Sequence, residues 1–399
     1  MNARLAALDF ITGCLSIRRG PAIDEGLHSL IVSQDLNWDT ILDIAEIQRI
    51  APAFWAALRN RGLVEYLPFK VRDNLFKLYL LNTLRNKGLR EQAIEAIHQF
   101  NSIGVEPMLL KGGISLLLET FDDPGSRVMA DLDILVPKEA AEDCWKGLLT
   151  LGYCPIKDNP HFHIDYRHRH HHLRPLYRPD GYGMIEIHRD ALPNSAARIL
   201  PTSTIWEQSE PVVNSLGLTM NIPSPTHRVL HNLLHSDLIN QTYIRGKISL
   251  RSLHELVIMQ TIYREQLDWE TIRQLMDRSG QGQVLRASLH LADRLFGSPM
   301  PDCMRPTFGA VTHYARTRLQ VRWHWLDELV ERVFWFSTES ICERYKCDDS
   351  FWAVTKNRIK LATFLAGKYS YQFYRWIGQQ TSQGHMRVLT AILSSSLTA

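Results

Sequence analysis

The chain lacks most of the features that assign a protein quickly. Only six of its 399 residues are cysteine, dispersed as Cys14, Cys144, Cys154, Cys303, Cys342 and Cys347, and no two form a CxxC pair. That scatter excludes a disulfide framework and a zinc ribbon. No run of 18 apolar residues goes uninterrupted, so no transmembrane helix is expected. Neither sign of charge dominates: 45 Lys and Arg against 42 Asp and Glu leave a formal +3, which excludes a strongly basic, genome-coating protein. The N-terminal stretch MNARLAALDFITGCLSIRRG is apolar in part. However, Asp9 interrupts it and its arginines follow rather than precede it, the wrong order for a secretory signal. A reduced, cytoplasmic protein is the expectation. What the chain does have is an ordinary globular balance, 45% hydrophobic and 22% charged, and 17 histidines, seven of them from His161 to His188.

At roughly 100–200 residues per domain, the length predicts two to four structural units. Residues 1–104 read as helical: Ile41, Ile44, Ala45, Ile47, Ile50 and Ala51 recur at three- and four-residue intervals. The same pattern runs through VRDNLFKLYLLNTLRNKGLREQAIEAIHQFNSIG to a stop at Gly104. At Val105 the character changes. EPMLL, ADLDILVP, LRPLYR and GMIEIHRD are short apolar runs bounded by turn residues and predict strands, while ISLLLETF and KEAAEDCWKGLLTLG predict helices. Residues 105–222 thus read as an α/β or α+β core with its chemistry at strand ends. Helical spacing returns over 223–300, with Ser224 or Thr226 as the cap of the first helix. Leu36–Ile41 and Leu267–Ile272 echo each other, which fits a shared way of starting a helix better than a duplicated domain. Residues 301–399 are an aromatic-rich helical region holding Trp323, Trp325, Trp335, Trp352 and Trp376. These are expected to pack into their own core, with a membrane surface or a protein partner as the alternative.

The chemistry concentrates in LLKGGISLLLETFDDPGSRVMADLDILV. Alternate residues of a strand share a face, so Asp131 and Asp133 project together while Leu132 and Ile134 point the other way. Two carboxylates side by side on an apolar strand call for a cation, and Mg²⁺ suits oxygen ligands and substrate phosphates. Gly112 and Gly113 stand between a predicted strand and a predicted helix, where glycine admits a phosphate to the backbone. Glu186 and His188 share a second strand face by the same period-two rule.

The order strand, GG, helix, DxD strand resembles the nucleotidyltransferase core of the DNA polymerase β superfamily. More narrowly, Leu110-Lys111-Gly112, Arg127, Asp131/Asp133 and Glu186/His188 resemble the bacterial family known as uncharacterised nucleotidyltransferases. Two positions depart from the pattern. Gly113 stands where serine is common in the superfamily, and Arg189 where the narrower family commonly has an aromatic. The resemblance implies a polymerase β-type core between N- and C-terminal helical regions. It also implies transfer of a nucleoside monophosphate from an NTP to an acceptor, with release of pyrophosphate. Asp131, Asp133 and Glu186 would be the catalytic carboxylates: the two aspartates would hold two Mg²⁺ ions, with Mn²⁺ as the alternative, and Glu186 would complete the site of the ion that activates the acceptor hydroxyl. Lys111, Gly112, Gly113, Arg127 and His188 would contact the nucleotide. The acceptor stays open among a small molecule, a peptide or protein, and a tRNA; DNA is not expected. A catalytically degenerate binding or scaffold protein on the same fold is the alternative.

The histidine run HFHIDYRHRHHHLRPLY raises zinc as a third reading. Yet His168, His170 and His172 on one strand face would make a row rather than a convergent set, and no HExxH motif accompanies them. A solvated or packing role is expected for the run, with substrate contact second. His227, His231 and His235, one helical turn apart, are expected to be satisfied structural residues.

Overall fold

The computed structural model describes residues 2–118, 123–157, Tyr166, 170–345, Cys347 and 349–363. It divides into two compact units, residues 1–324 and 325–399. The first unit opens with α1 (Ala3–Leu15), α2 (Pro21–Val32), α3 (Trp38–Ile47), α4 (Ala51–Asn60) and the 34-residue α5 (Phe69–Ser102). Gly104, left-handed at φ +76°, turns the chain out of α5.

A mixed α+β segment follows: β1 (Met108–Leu109), α6 (Gly112–Leu118), β2 (Asp131–Leu135), α7 (Ala141–Thr150), β3 (Cys154–Pro155), β4 (Leu176–Tyr177) and β5 (Met184–His188). It continues through α8 (Asn194–Ala197), α9 (Thr202–Glu207), β6 (Ser209–Val213) and β7 (Thr219–Pro223). Then come α10 (Pro225–Leu233), which runs on as a π-helical turn over Leu234–Ile239, α11 (Thr242–Arg245), α12 (Leu250–Ile262), α13 (Trp269–Arg278), α14 (Gly282–Phe296) and α15 (Phe308–Arg322). Ser224 caps α10, its side chain accepting from the His227 N–H. The sequence echo is a shared cap: Asn37 accepts from Thr40 N at the start of α3, and Asp268 accepts from Thr271 N at the start of α13.

Among the described residues the strands form one mixed sheet in the order β3-β4-β5-β2-β1-β7-β6. The strands expected at EPMLL, ADLDILVP, LRPLYR and GMIEIHRD are there as β1, β2, β4 and β5. The two-residue β3 and β6 (SEPVV) carry no apolar alternation, whereas Leu218, Met220 and Ile222 alternate with Thr219 and Asn221 into β7, a signal that went unread. The parallel β2–β5 pair fixes the site, with Asp133 opposite Glu186 and Leu135 opposite His188. Leu132, Ile134, Ile185 and Ile187 turn to the other face and pack, at 0–1% exposure, against Leu89, Ala93, Ile97, Phe100, Cys144 and Leu148 of α5 and α7. A second interior runs from α1, α3 and α4 through Met108, Leu110 and Leu135 of the sheet to α10, α12 and α14. The helices before and after the sheet therefore share one core.

The second unit contains α16 (His324–Trp335), whose first residue closes the first unit, α17 (Thr338–Tyr345) and a helical stretch over 351–363. Its small interior is Ile341, Val354 and Leu361, with Trp335 and Phe336 against it. The expected self-packed aromatic core is only partly present, because Trp325 and Trp352 are 63% and 78% exposed. Trp376 and the segment KYSYQFYRWIG lie outside the described residues.

Candidate active site

Period two places Asp131, Asp133, Glu186 and His188 on one face of the β2–β5 pair, and this face is the wall of a cavity of about 300 Å³. Asp133 is 3% exposed, and its Oδ1 accepts from both Lys111 Nζ at 2.7 Å and His188 Nε2 at 3.0 Å. Burial would push the Asp133 carboxyl up, but the Lys111 ammonium and the His188 bond overcome it and hold Asp133 well below the usual carboxylate range. Asp131 goes the other way: burial and the like charges of Asp133 and Glu186 raise it. Glu186 Oε2 lies 3.5 Å from His172 Nε2 and 3.7 Å from His188 Nε2. Against the effect of burial, the His188 bond and the His172 charge lower Glu186. Ligand atoms of Asp133, Glu186 and His188 all lie within 4.8 Å of one another; Asp131 lines the same cavity but lies outside that tight group. Three carboxylates face one ammonium and two imidazoles, His172 and His188, a set of oxygen donors that suits a hard divalent cation.

The expected nucleotide contacts separate into two groups. Lys111, Gly112 and Arg127 line the cavity, whereas Gly113 and His188 do not. His188 is 1% exposed and its Nε2 lies 3.0 Å from Asp133 Oδ1 and 3.7 Å from Glu186 Oε2, between the two carboxylates. The glycine pair is no loop, since both residues lie in the first turn of α6; the turn residue is Lys111, left-handed at φ +46°. A Cβ on Gly112 would overlap Arg127 Nη1 and Met129 Sδ, so any larger residue there has to displace these two side chains. Arg127 Nη2 donates to Glu255 Oε2 of α12 at 3.0 Å.

The histidines sit closer to the chemistry than their sequence pattern suggests. His171 and His172 line the cavity, and His172 pairs with His188 through an isolated antiparallel bridge rather than a strand. His161, His163 and His168 lie outside the described residues. Burial, then the neighbouring imidazoles, pushes His171 down to about 2, so that ring is neutral. His170, His171 and His172 also bring ring nitrogens within 4.8 Å of one another, a convergence the strand argument excluded. His231 and His235 face the cavity too, while His227 alone of that helical row is purely a core residue at 2% exposure.

Residues of the helical flanks complete the wall: Arg49 between α3 and α4, Arg228 and Asn232 of α10, and Arg251 and Glu255 of α12. Arg228 Nη1 donates to Tyr263 OH at 2.7 Å with its guanidinium carbon 5.1 Å from that ring's centre. Ile239, Ile258, Met259 and Ile262 give the cavity an apolar end. None of these was singled out from the sequence. The available signal was a helix face mixing cations with aliphatics, as Arg251, Glu255, Ile258, Met259 and Ile262 do at helical spacing.

No helix among the described residues is long and apolar enough to cross a membrane. The chain matches no curated protein. The sequence profile of the family described as uncharacterised nucleotidyltransferase matches residues 34–297, a span that takes in the carboxylate face and the arginine-bearing helices alike. The chain therefore belongs to the uncharacterised nucleotidyltransferase family.

Proposed function

We propose that the cavity transfers a nucleoside monophosphate from an NTP to an acceptor hydroxyl or phosphate with the help of a divalent cation, Mg²⁺ before Mn²⁺. The observation that carries this is the register of β2 on β5, which sets Asp133 beside Glu186 with Asp131 one step along the same face. Oxygen donors in that number fit Mg²⁺. Asp131, Asp133 and Glu186 would hold the ion, which when bound lowers the pKa of the acceptor hydroxyl and neutralises phosphate charge. Glu186, with neutral His171 and the His172 ring beside it, orients the acceptor and receives its proton. Lys111 and Arg127 offset charge on the phosphates. His188 fixes the two inner carboxylates. The apolar end formed by Ile258, Met259 and Ile262, with Tyr263, takes the base.

A second reading, a catalytically silent nucleotide-binding protein, draws on one fact. Lys111 already neutralises Asp133 from within. Incubation with each labelled NTP and Mg²⁺ separates the two. Transfer of label or release of pyrophosphate by the wild type, abolished by Asp131→Ala with Asp133→Ala and by chelator, is the expected result. Equal nucleotide binding by both proteins with no transfer by either favours the silent protein.

A further inference from the structure

One corner of the cavity gathers three guanidiniums around a single carboxylate. Arg49, Arg127, Arg251 and Glu255 line both the main cavity and a small recess behind it, a recess that none of the three catalytic carboxylates lines. Glu255 Oε2 is taken by Arg127 at 3.0 Å and by Asn232 Nδ2 at 3.5 Å, while its buried Oε1 accepts no hydrogen bond. Arg251 donates to the Val128 carbonyl at 3.4 Å rather than to Glu255. Arg49 makes no side-chain hydrogen bond or ion pair among the described residues. The corner thus gathers two more positive than negative charges, with Arg49 exposed and Arg127, Arg251 and Glu255 partly buried, an arrangement that suits an anion. The Arg251 guanidinium is correspondingly depressed, first by burial and then, against the pull of Glu255, by repulsion from Arg127 and Arg49.

The backbone at Arg49 carries a second, independent sign. α3 ends in a Schellman motif, with Ile50 N donating to Ala45 O at 2.8 Å and Arg49 N to Glu46 O at 2.9 Å. Arg49 occupies the left-handed position of that motif at φ +52°, where glycine is the usual residue. Gln48 Oε1 accepts from Leu250 N at 3.0 Å, which ties this turn to the start of α12 and brings Arg49 beside Arg251. A strained arginine held where glycine would be relaxed points to a use for its guanidinium.

The position of the corner suggests what it binds. Arg251 acts electrostatically on Asp131, whereas the close neighbours of Glu186 are His172 and His188. In an in-line displacement the attacking and leaving oxygens occupy opposite ends. With the acceptor beside Glu186, the leaving group falls on the Asp131 side. The geometry points to the Arg49–Arg127–Arg251 corner as the subsite for the two outer phosphates of the nucleoside triphosphate, an assignment that rests on the nucleotidyl-transfer reading of the same cavity. The acceptor oxygen bonds to the α-phosphorus, and the bond from that phosphorus to the α–β bridging oxygen breaks. Its electron pair leaves on pyrophosphate, and the acceptor's proton passes through Glu186 to water. The arginines neutralise the charge that builds on the departing group.

The test is calorimetric titration of the full chain with inorganic pyrophosphate and, separately, orthophosphate in Mg²⁺ buffer, comparing wild type with Arg49→Gly and Arg251→Gln. Each variant is expected to bind pyrophosphate about tenfold more weakly, the loss of one charge-assisted contact, and to bind orthophosphate hardly at all, as the wild type does. Arg49→Gly melts no lower than wild type, which removes misfolding as an explanation. Unchanged pyrophosphate affinity in both variants overturns the subsite. Orthophosphate bound as tightly as pyrophosphate, through the same arginines, also overturns it, because the site would then take one phosphate of an acceptor. A wild type that binds pyrophosphate through these arginines but transfers no nucleotide refutes the transfer reading and supports the anion site.

Discussion

Asp131 and Asp133 are two residues apart on one strand face, yet the fold treats them in opposite ways. Lys111 and His188 hold Asp133 ionised, whereas Asp131 faces two like charges, and its raised pKa means that the native state resists ionising it. A neutral replacement should therefore do opposite things at the two positions. In metal-free buffer at neutral pH, Asp131→Asn is expected to raise the melting temperature. Asp133→Asn, which leaves a buried ammonium and imidazole without their anion, is expected to cost about 3 kcal/mol. A group whose folded pKa is raised favours the native state only as pH falls through that value, so the advantage of Asp131→Asn fades in acid. Added Mg²⁺ should stabilise wild type and leave Asp131→Asn unmoved. Melting curves with and without chelator check all of this, and equal shifts at the two positions would sink it. At this scale the carboxylates were legible because a strand's period is two. Arg49, Arg228 and Arg251 were not, because nothing local distinguishes an arginine lining a cavity from one in water.

α6 shows the limit of reading glycine from sequence at the scale of an element. The GG pair suggested a loop open to phosphate, but the loop residue is Lys111 and both glycines are helical. One of them is needed and the other is not. An alanine methyl at Gly112 meets Arg127 and Met129, while at Gly113 its nearest neighbour is Leu109 Cδ2 at 3.5 Å, ordinary contact. Gly113→Ala should be neutral or stabilising by up to about 1 kcal/mol through helix propensity. Gly112→Ala should displace Arg127 from Glu255 and weaken nucleotide binding about tenfold or more. Fluorescence titration with a labelled NTP measures the second effect; equal affinities for the two variants would remove Gly112's role as the seat of Arg127. The segment carrying that arginine is itself clamped by α5. Asn82 Nδ2 donates to the carbonyls of Gly125 and Arg127 at 2.7 and 2.9 Å, and Asn86 Nδ2 to those of Pro124 and Arg127 at 2.6 and 2.9 Å. Helix spacing read α5 correctly and gave no hint of the clamp, since its partners lie some forty residues away.

Among the described residues of the first unit, burial lowers the pKa of eight histidines, while that of His188 is raised. Burial pushes His231 and His313 down to about 4, helped at His231 by Lys111 and at His313 by Arg316. A depressed histidine adds stability that is complete above the ordinary value near 6.5 and is lost as pH falls from there toward 4, because only the unfolded chain takes up the proton. The melting temperature should therefore drop between pH 7.5 and 4.5. His313→Gln gives up the ring's stacking on Tyr243 at 4.5 Å, so it should start lower and lose less over that range. Parallel curves for the two proteins would show that His313 does not titrate this way. The order helices, sheet, helices was legible from periodicity, whereas the α+β class came from the family resemblance. The shared interior of the first and last helices was not, because pattern shows which face of a helix is apolar and not which distant face covers it.

That shared interior also sets an order of events during synthesis. The carboxylates are in place once β5 has been made, but Arg228, Arg251 and Glu255 come later in the chain and must pack back against helices made first. A nascent chain that has released the whole sheet, through Pro223, still has only half a pocket. A chain truncated before α12 therefore keeps the acidic face with Arg49, Lys111, Arg127 and Arg228 but lacks Arg251, Glu255 and most of the apolar end of the cavity.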